Sequence, residues 1–118
     1  MKLAQVRGIL EAEVIVGESE LENEVHSACG SDLMSDVLAF VKDQALLLTG
    51  LVNGQVVRTA EMMDIKAIVF VRGKKPTKEV ISLANEYKMV IMTTNLPLYP
   101  ACGMLYCGGL QPGRGQEK

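Results

Sequence analysis

Three uninterrupted apolar runs constrain the architecture most: Ala45-Leu46-Leu47-Leu48-Thr49, Ala67-Ile68-Val69-Phe70-Val71 and Met89-Val90-Ile91-Met92-Thr93. A strand with one wet face alternates polar and apolar side chains. A strand covered on both faces has no need to, so these runs read as strands of a buried, parallel sheet. They end in Thr49-Gly50, Arg72-Gly73 and Thr93-Thr94-Asn95. Helical patterns separate them. Val56, Ala60 and Met63 are spaced i, i+4, i+7, and Val80, Leu83, Ala84 and Tyr87 are spaced i, i+3, i+4, i+7. Asn53 can cap the first helix, and Pro76-Thr77 opens the second. The order strand–helix–strand–helix–strand makes two βαβ units, each expected to cross over right-handed.

The first half is less regular. Leu3, Val6 and Leu10 share one helical face, which predicts a helix over residues 3–12. Glu13-Val14-Ile15-Val16 reads as a strand stopped by Gly17. Residues 18–24 are acidic and read as a solvated loop, and residues 25–29 as a second short strand. Ser35 or Asp32 is a candidate cap for a short helix over residues 36–42. A last helix is expected from Leu98 to Cys107, stopped by Gly108-Gly109. The chain of 118 residues fits one α/β domain, three-layered with a mainly parallel sheet, over residues 1–108. Residues 109–118 carry Pro, Gly and charge and are expected to form a disordered tail.

Composition narrows the function classes. A net charge of −2 and only 4% aromatic residues leave neither the basic surface nor the stacking platforms of a nucleic-acid binder. No apolar run is long enough to span a membrane. The cysteines, Cys29, Cys102 and Cys107, are odd in number and fit a reducing cytoplasm better than an oxidised framework. Their spacing lacks the paired pattern of a zinc site, so buried free thiols are expected and no metal. Hydrophobic residues make up 48% of the chain, an apolar load for a small domain that points to a subunit interface. If the chain is instead an interaction protein, the broad apolar surface for its protein partner is expected to involve Val37, Leu38, Leu98, Tyr99 and Met104.

In an open parallel α/β sheet, ligands bind beyond the carboxyl ends of the strands. That edge should gather Thr49, Gly50, Asn53, Gly54, Arg72, Gly73, Thr93, Thr94 and Asn95, with Lys74 and Lys75 nearby. Helix N-termini and these cations suit a small anion such as a nucleotide or phosphate compound. The same residue types also serve ordinary turns and caps. Gly73-Lys74-Lys75-Pro76 lacks the upstream glycine and the Ser/Thr of a P-loop, and no G-x-G-x-x-G occurs. The lone His26 has no candidate nucleophile beside it, and Asp32 and Asp36 are more simply caps than a catalytic pair. No catalytic residue and no cofactor are expected.

The run from Ser31-Asp32-Leu33-Met34 to Ala39-Phe40 resembles a segment of the DRTGG-domain family. So do Leu47-Leu48-Thr49-Gly50-Leu51, Gln55-Val56-Val57-Arg58-Thr59-Ala60-Glu61 and residues 67–76. The chain does not itself spell Asp-Arg-Thr-Gly-Gly. The resemblance implies a fold like the N-terminal domains of HPr kinase/phosphorylase and the Mur ligases. It implies a regulatory or assembly module, often self-associating, of the kind found beside the catalytic parts of phosphotransacetylases and CBS-domain pyrophosphatases. Stand-alone members are often encoded near iron hydrogenase subunits, which implies a redox-linked partner. The expectation is thus a cytoplasmic, homodimeric, non-catalytic ligand-sensing module, or else an assembly subunit without a small ligand.

Overall fold

The structure, a computed structural model, describes residues 1–40 and 45–112. Its elements are α1 (Leu3–Leu10), β1 (Glu13–Val16), a 3-10 turn (Glu18–Glu20), β2 (Ser27–Gly30), α2 (Met34–Phe40), β3 (Ala45–Thr49), α3 (Gly54–Met62), β4 (Ala67–Phe70), α4 (Lys78–Tyr87), β5 (Val90–Thr93), α5 (Leu98–Cys107) and β6 (Gln111–Pro112). The sheet order is β1-β5-β4-β3-β2-β6. Among the described strands, the β1–β5 pair is antiparallel and the others are parallel.

Every residue of β3, β4 and β5 is buried, which is why their sequences show no alternation. Leu47, Ile68, Phe70 and Ile91 pack into one core with Val37 of α2, Val56 and Ala60 of α3, and Val80 and Ala84 of α4. Leu46, Leu48, Val69 and Met92 pack into the other, with Leu3, Val6 and Leu10 of α1 and Ala101 and Leu105 of α5. The three-layer α/β class read from the sequence therefore holds. A Leu or Ile removed wholly from water contributes about 1.5–3 kcal/mol, so this double core is the main source of stability.

Handedness explains the distribution of helices. The chain steps β2, β3, β4, β5 in one direction, with α2, α3 and α4 on one face. α5 then carries it back across the sheet to β6, beyond β2. A right-handed crossover that reverses direction must use the opposite face, and α5 lies there beside α1.

Three helix-to-strand connections share one device. Glu11, Asp64 and Lys88 follow α1, α3 and α4 with φ of 50°, 59° and 57°. The next residue donates its N–H back five positions: Ala12 to Arg7 O, Ile65 to Ala60 O and Met89 to Ala84 O. This is the Schellman helix ending, which usually takes Gly. A side chain there costs about 1–2 kcal/mol, offset in part by the extra chain entropy of Gly. Glu11→Gly should therefore raise stability by about 0.5–1 kcal/mol, readable in urea melts.

Two boundaries differ from the sequence reading. α2 begins at Met34, whose buried side chain anchors it, and the expected extension over residues 41 and 42 lies outside the described residues. The C-terminal boundary also moves. Leu110 is only 4% exposed, and Gln111–Pro112 pairs with β2. Leu110 is the apolar anchor of this segment, and a short edge strand tolerates a proline without an N–H to donate. Residues 109–112 thus belong to the domain rather than to a disordered tail. Residues 113–118 lie outside the described residues.

Candidate functional site

The parallel strands all end at one edge, as the βαβ reading requires. β4 leaves into α4 on one face and β5 leaves into α5 on the other, so the chain's connections diverge between β4 and β5. Such a switch point is where open α/β sheets bind ligands. Here the two loops are bonded across it: Arg72 N–H donates to Leu96 O and Gly73 N–H to Thr94 O, both at 2.8 Å.

Most of the expected polar side chains are engaged within the fold. Thr49 donates its hydroxyl to Asp32 Oδ1 at 3.0 Å and accepts from Leu51 N–H. Thr93 donates to Lys74 O at 2.6 Å. Thr94 donates to Leu10 O at 2.8 Å and accepts from Leu96 N–H. Asn53 and Thr77 cap α3 and α4, accepting from Val56 and Val80 N–H. Gly54 is covered: a Cβ there would lie 2.7 Å from the Glu79 carboxyl, which also pairs with Arg58 at 3.2 Å. The N-terminus of α3 thus already faces an internal carboxylate, which the local sequence gave no reason to expect. Asn95 lies beside Gly73, whose added Cβ would be 3.1 Å from its Oδ1.

Asp32 departs from its reading as a helix cap. Its carboxylate accepts from Gly50 N–H at 2.7 Å as well as from Thr49. It ties the β2–α2 loop to the end of β3.

Arg72 stands apart from this internal network. Its φ is 61° and that of Gly73 is 68°, and Lys74 N–H closes the turn onto Val71 O. Both central residues are left-handed, the type I′ pattern that favours Asn-Gly. The other left-handed non-glycine residues terminate helices; Arg72 alone ends a strand. Its guanidinium lies over Gly50, where a Cβ would come within 2.9 Å of its Cζ. Among the described residues this guanidinium makes no ion pair or hydrogen bond, nor does the Lys74 ammonium. Lys75 is loosely paired with Glu13 at 3.7 Å.

The cysteines are free, with Cys29 and Cys102 half-buried and Cys107 exposed. Burial pushes the Cys29 thiol up, with smaller contributions from Cys102 and Asp36, and burial alone raises Cys102. Both stay protonated at neutral pH and are poor nucleophiles. The folded protein holds these protons more tightly than the unfolded chain does. Their contribution is therefore fully present below the usual thiol value of 9.0 and is lost as pH rises through the raised folded values. Melting curves across this alkaline range should fall more steeply for the wild type than for a Cys29→Ala/Cys102→Ala variant. Among the described residues no group of three or more His, Cys, Asp or Glu side chains is placed to hold a metal. No helix among them is long and apolar enough to cross a membrane.

Fold and edge together define a three-layer α/β domain whose strand-end loops are locked to one another beside Arg72, which has no ion pair among the described residues. The chain belongs to the DRTGG-domain family, whose sequence profile matches residues 5–112. Among solved structures it is similar to the CBS and DRTGG domains of the regulatory region of Clostridium perfringens pyrophosphatase, crystallised with the activator diadenosine tetraphosphate. The TM-score is 0.70 at 16% identity, covering 88% of this chain and 45% of that one. The chain thus spans less than half of that structure, and the likeness is one of fold. No curated protein matches the chain.

Proposed function

We propose that this chain is a non-catalytic regulatory module that senses a small phosphate-bearing anion at the carboxyl edge of its sheet. The observation that carries this reading is Arg72. It is a guanidinium without an ion pair among the described residues, held in a left-handed turn where Asn or Gly would cost less, and it sits above a glycine that leaves it room. Backbone strain of this kind persists where the surrounding structure holds it, and it clusters at ligand clamps. Arg72 and Lys74 supply the charge, Gly50 leaves room for the guanidinium, and Gly73 allows close approach of a phosphate to the backbone. Thr49, Asn53, Thr93 and Thr94 then build the platform, and Gly54 and Asn95 border it. The regulatory region of the clostridial pyrophosphatase, in complex with a dinucleotide activator, is consistent with this class. The test is a thermal-shift and calorimetric screen of nucleotides, dinucleotide polyphosphates and inorganic phosphate. Stabilisation that disappears when Arg72 is replaced supports the reading. No stabilisation by any of them sinks it.

A second reading, an assembly subunit, is favoured by α5. Residues 96–112 carry no charge, and Tyr99 is 89% exposed, with Met104 and Tyr106 also on the surface. Val37, expected on the same surface, is instead fully buried on the inner face of α2, on the opposite side of the sheet from α5. A homodimer in the cytoplasm would bury the α5 face. Light scattering that gave a monomer at working concentration would count against it.

A further inference from the structure

The geometry points to a second binding site, at the amino edge of the sheet, for a zwitterionic small molecule with an apolar side chain, of the size of an amino acid or a dipeptide. A cleft of about 510 Å³ opens there, on the opposite edge from Arg72. That volume falls within the range of small-molecule sites. Its floor is apolar, made by Leu3, Val25 and Val90, all buried. Tyr87 also lines it.

The walls differ in charge. Glu20 and Glu24 come from the segment before β2, while Lys66 and Lys88 come from the segments before β4 and β5. His26 also lines the cleft. Lys66 is paired with Asp64 at 3.2 Å, but Lys88 has no ion pair among the described residues. The backbone of both walls is fixed before any ligand arrives. Asn23 Nδ2 donates to Glu20 Oε1 at 2.8 Å, and Leu3 N–H and Val25 N–H bond to Asn23 O and Met1 O. Val90 N–H donates to Lys66 O at 2.9 Å, and Lys88 closes the Schellman ending of α4.

Complementarity decides the ligand class. A polyphosphate facing the lysines would also face two carboxylates, and like charges at close range cost binding. A molecule with an ammonium at one end and a carboxylate at the other meets an opposite charge on each wall, and its side chain covers the apolar floor. Both preorganised walls lower the ordering cost of binding. The site is independent of Arg72 and uses none of the carboxyl-edge residues.

The test is an amide chemical-shift titration with leucine, phenylalanine and Leu-Leu, alongside their N-acetylated and carboxamide forms as single-charge controls. Saturable shifts at Glu20, Glu24, Lys66 and Lys88, at least about tenfold weaker with either control, are expected. Lys88→Gln and Glu24→Gln should each weaken the zwitterion about tenfold, and Arg72→Asn should leave it unchanged. The proposal is overturned if none of these zwitterions gives saturable shifts at the cleft up to about 10 mM, a range that already covers very weak binding. It is equally overturned if the controls, or ATP, bind there as tightly as the zwitterions do.

Discussion

Arg72→Asn should weaken binding of a phosphate-bearing ligand about 10- to 100-fold while leaving the fold as stable as before, or about 0.5–1 kcal/mol more stable. Loss of affinity usually accompanies loss of structure when a residue is removed from a site. Here the two should move apart. The backbone at Arg72 is left-handed, and Asn tolerates that region better than Arg. Its N–H still reaches Leu96 O whatever the side chain. Among the described residues the guanidinium makes no ion pair or hydrogen bond whose loss would destabilise the domain, and it packs over Gly50. An arginine–phosphate pair contributes about 1.5–3 kcal/mol, which sets the expected loss of affinity. Isothermal titration and a urea melt on the same two proteins measure both quantities. A variant that loses stability together with affinity would mean that Arg72 holds the turn rather than the ligand. A variant that binds as well as the wild type would remove Arg72 from the site.

Much of this edge could be read from the sequence, and the reason is the parallel topology. Runs such as Ala67 to Val71 lack alternation because both faces are covered, so their strand character and common direction were legible without any long-range information. Parallel direction then placed Thr49, Arg72 and Thr93 at one edge. Asn53 and Thr77 were legible as caps because each bonds three residues ahead. The partners of Asp32 were not legible, since they lie 17 and 18 residues away. Nor was the carboxylate of Glu79 over Gly54, which depends on how α3 and α4 pack side by side. β6 has only two residues and no periodicity, and the buried Leu110 stands among glycines that read as tail. The amino-edge cleft draws its walls from several separate segments and has no motif.

Thr94 has a partner too distant for the residue type to reveal. Beside Asn95 and after a buried strand, it reads as a ligand contact. In the fold its hydroxyl donates to Leu10 O, 84 residues away, and accepts from Leu96 N–H. Leu10 is the last residue of α1, so its carbonyl is one of the acceptors a helix end leaves without an internal partner. Thr94 is only 3% exposed, so water cannot easily take its place. Thr94→Val keeps the shape and removes both bonds. Each buried group left without a partner costs about 1–3 kcal/mol, so a loss of about 2–3 kcal/mol is expected. For a domain of this size that corresponds to a fall of about 8–15 °C in Tm. Thr94→Ser, which restores the hydroxyl but not the methyl, should recover most of it. If Thr94→Val melted within about 2 °C of the wild type, the Leu10 bond would not be what joins α1 to the end of β5. A ligand that contacted the Thr94 side chain would then remain compatible with the data. A large loss recovered by Ser instead assigns this hydroxyl to the fold and leaves the charge at Arg72 and Lys74 to meet the ligand.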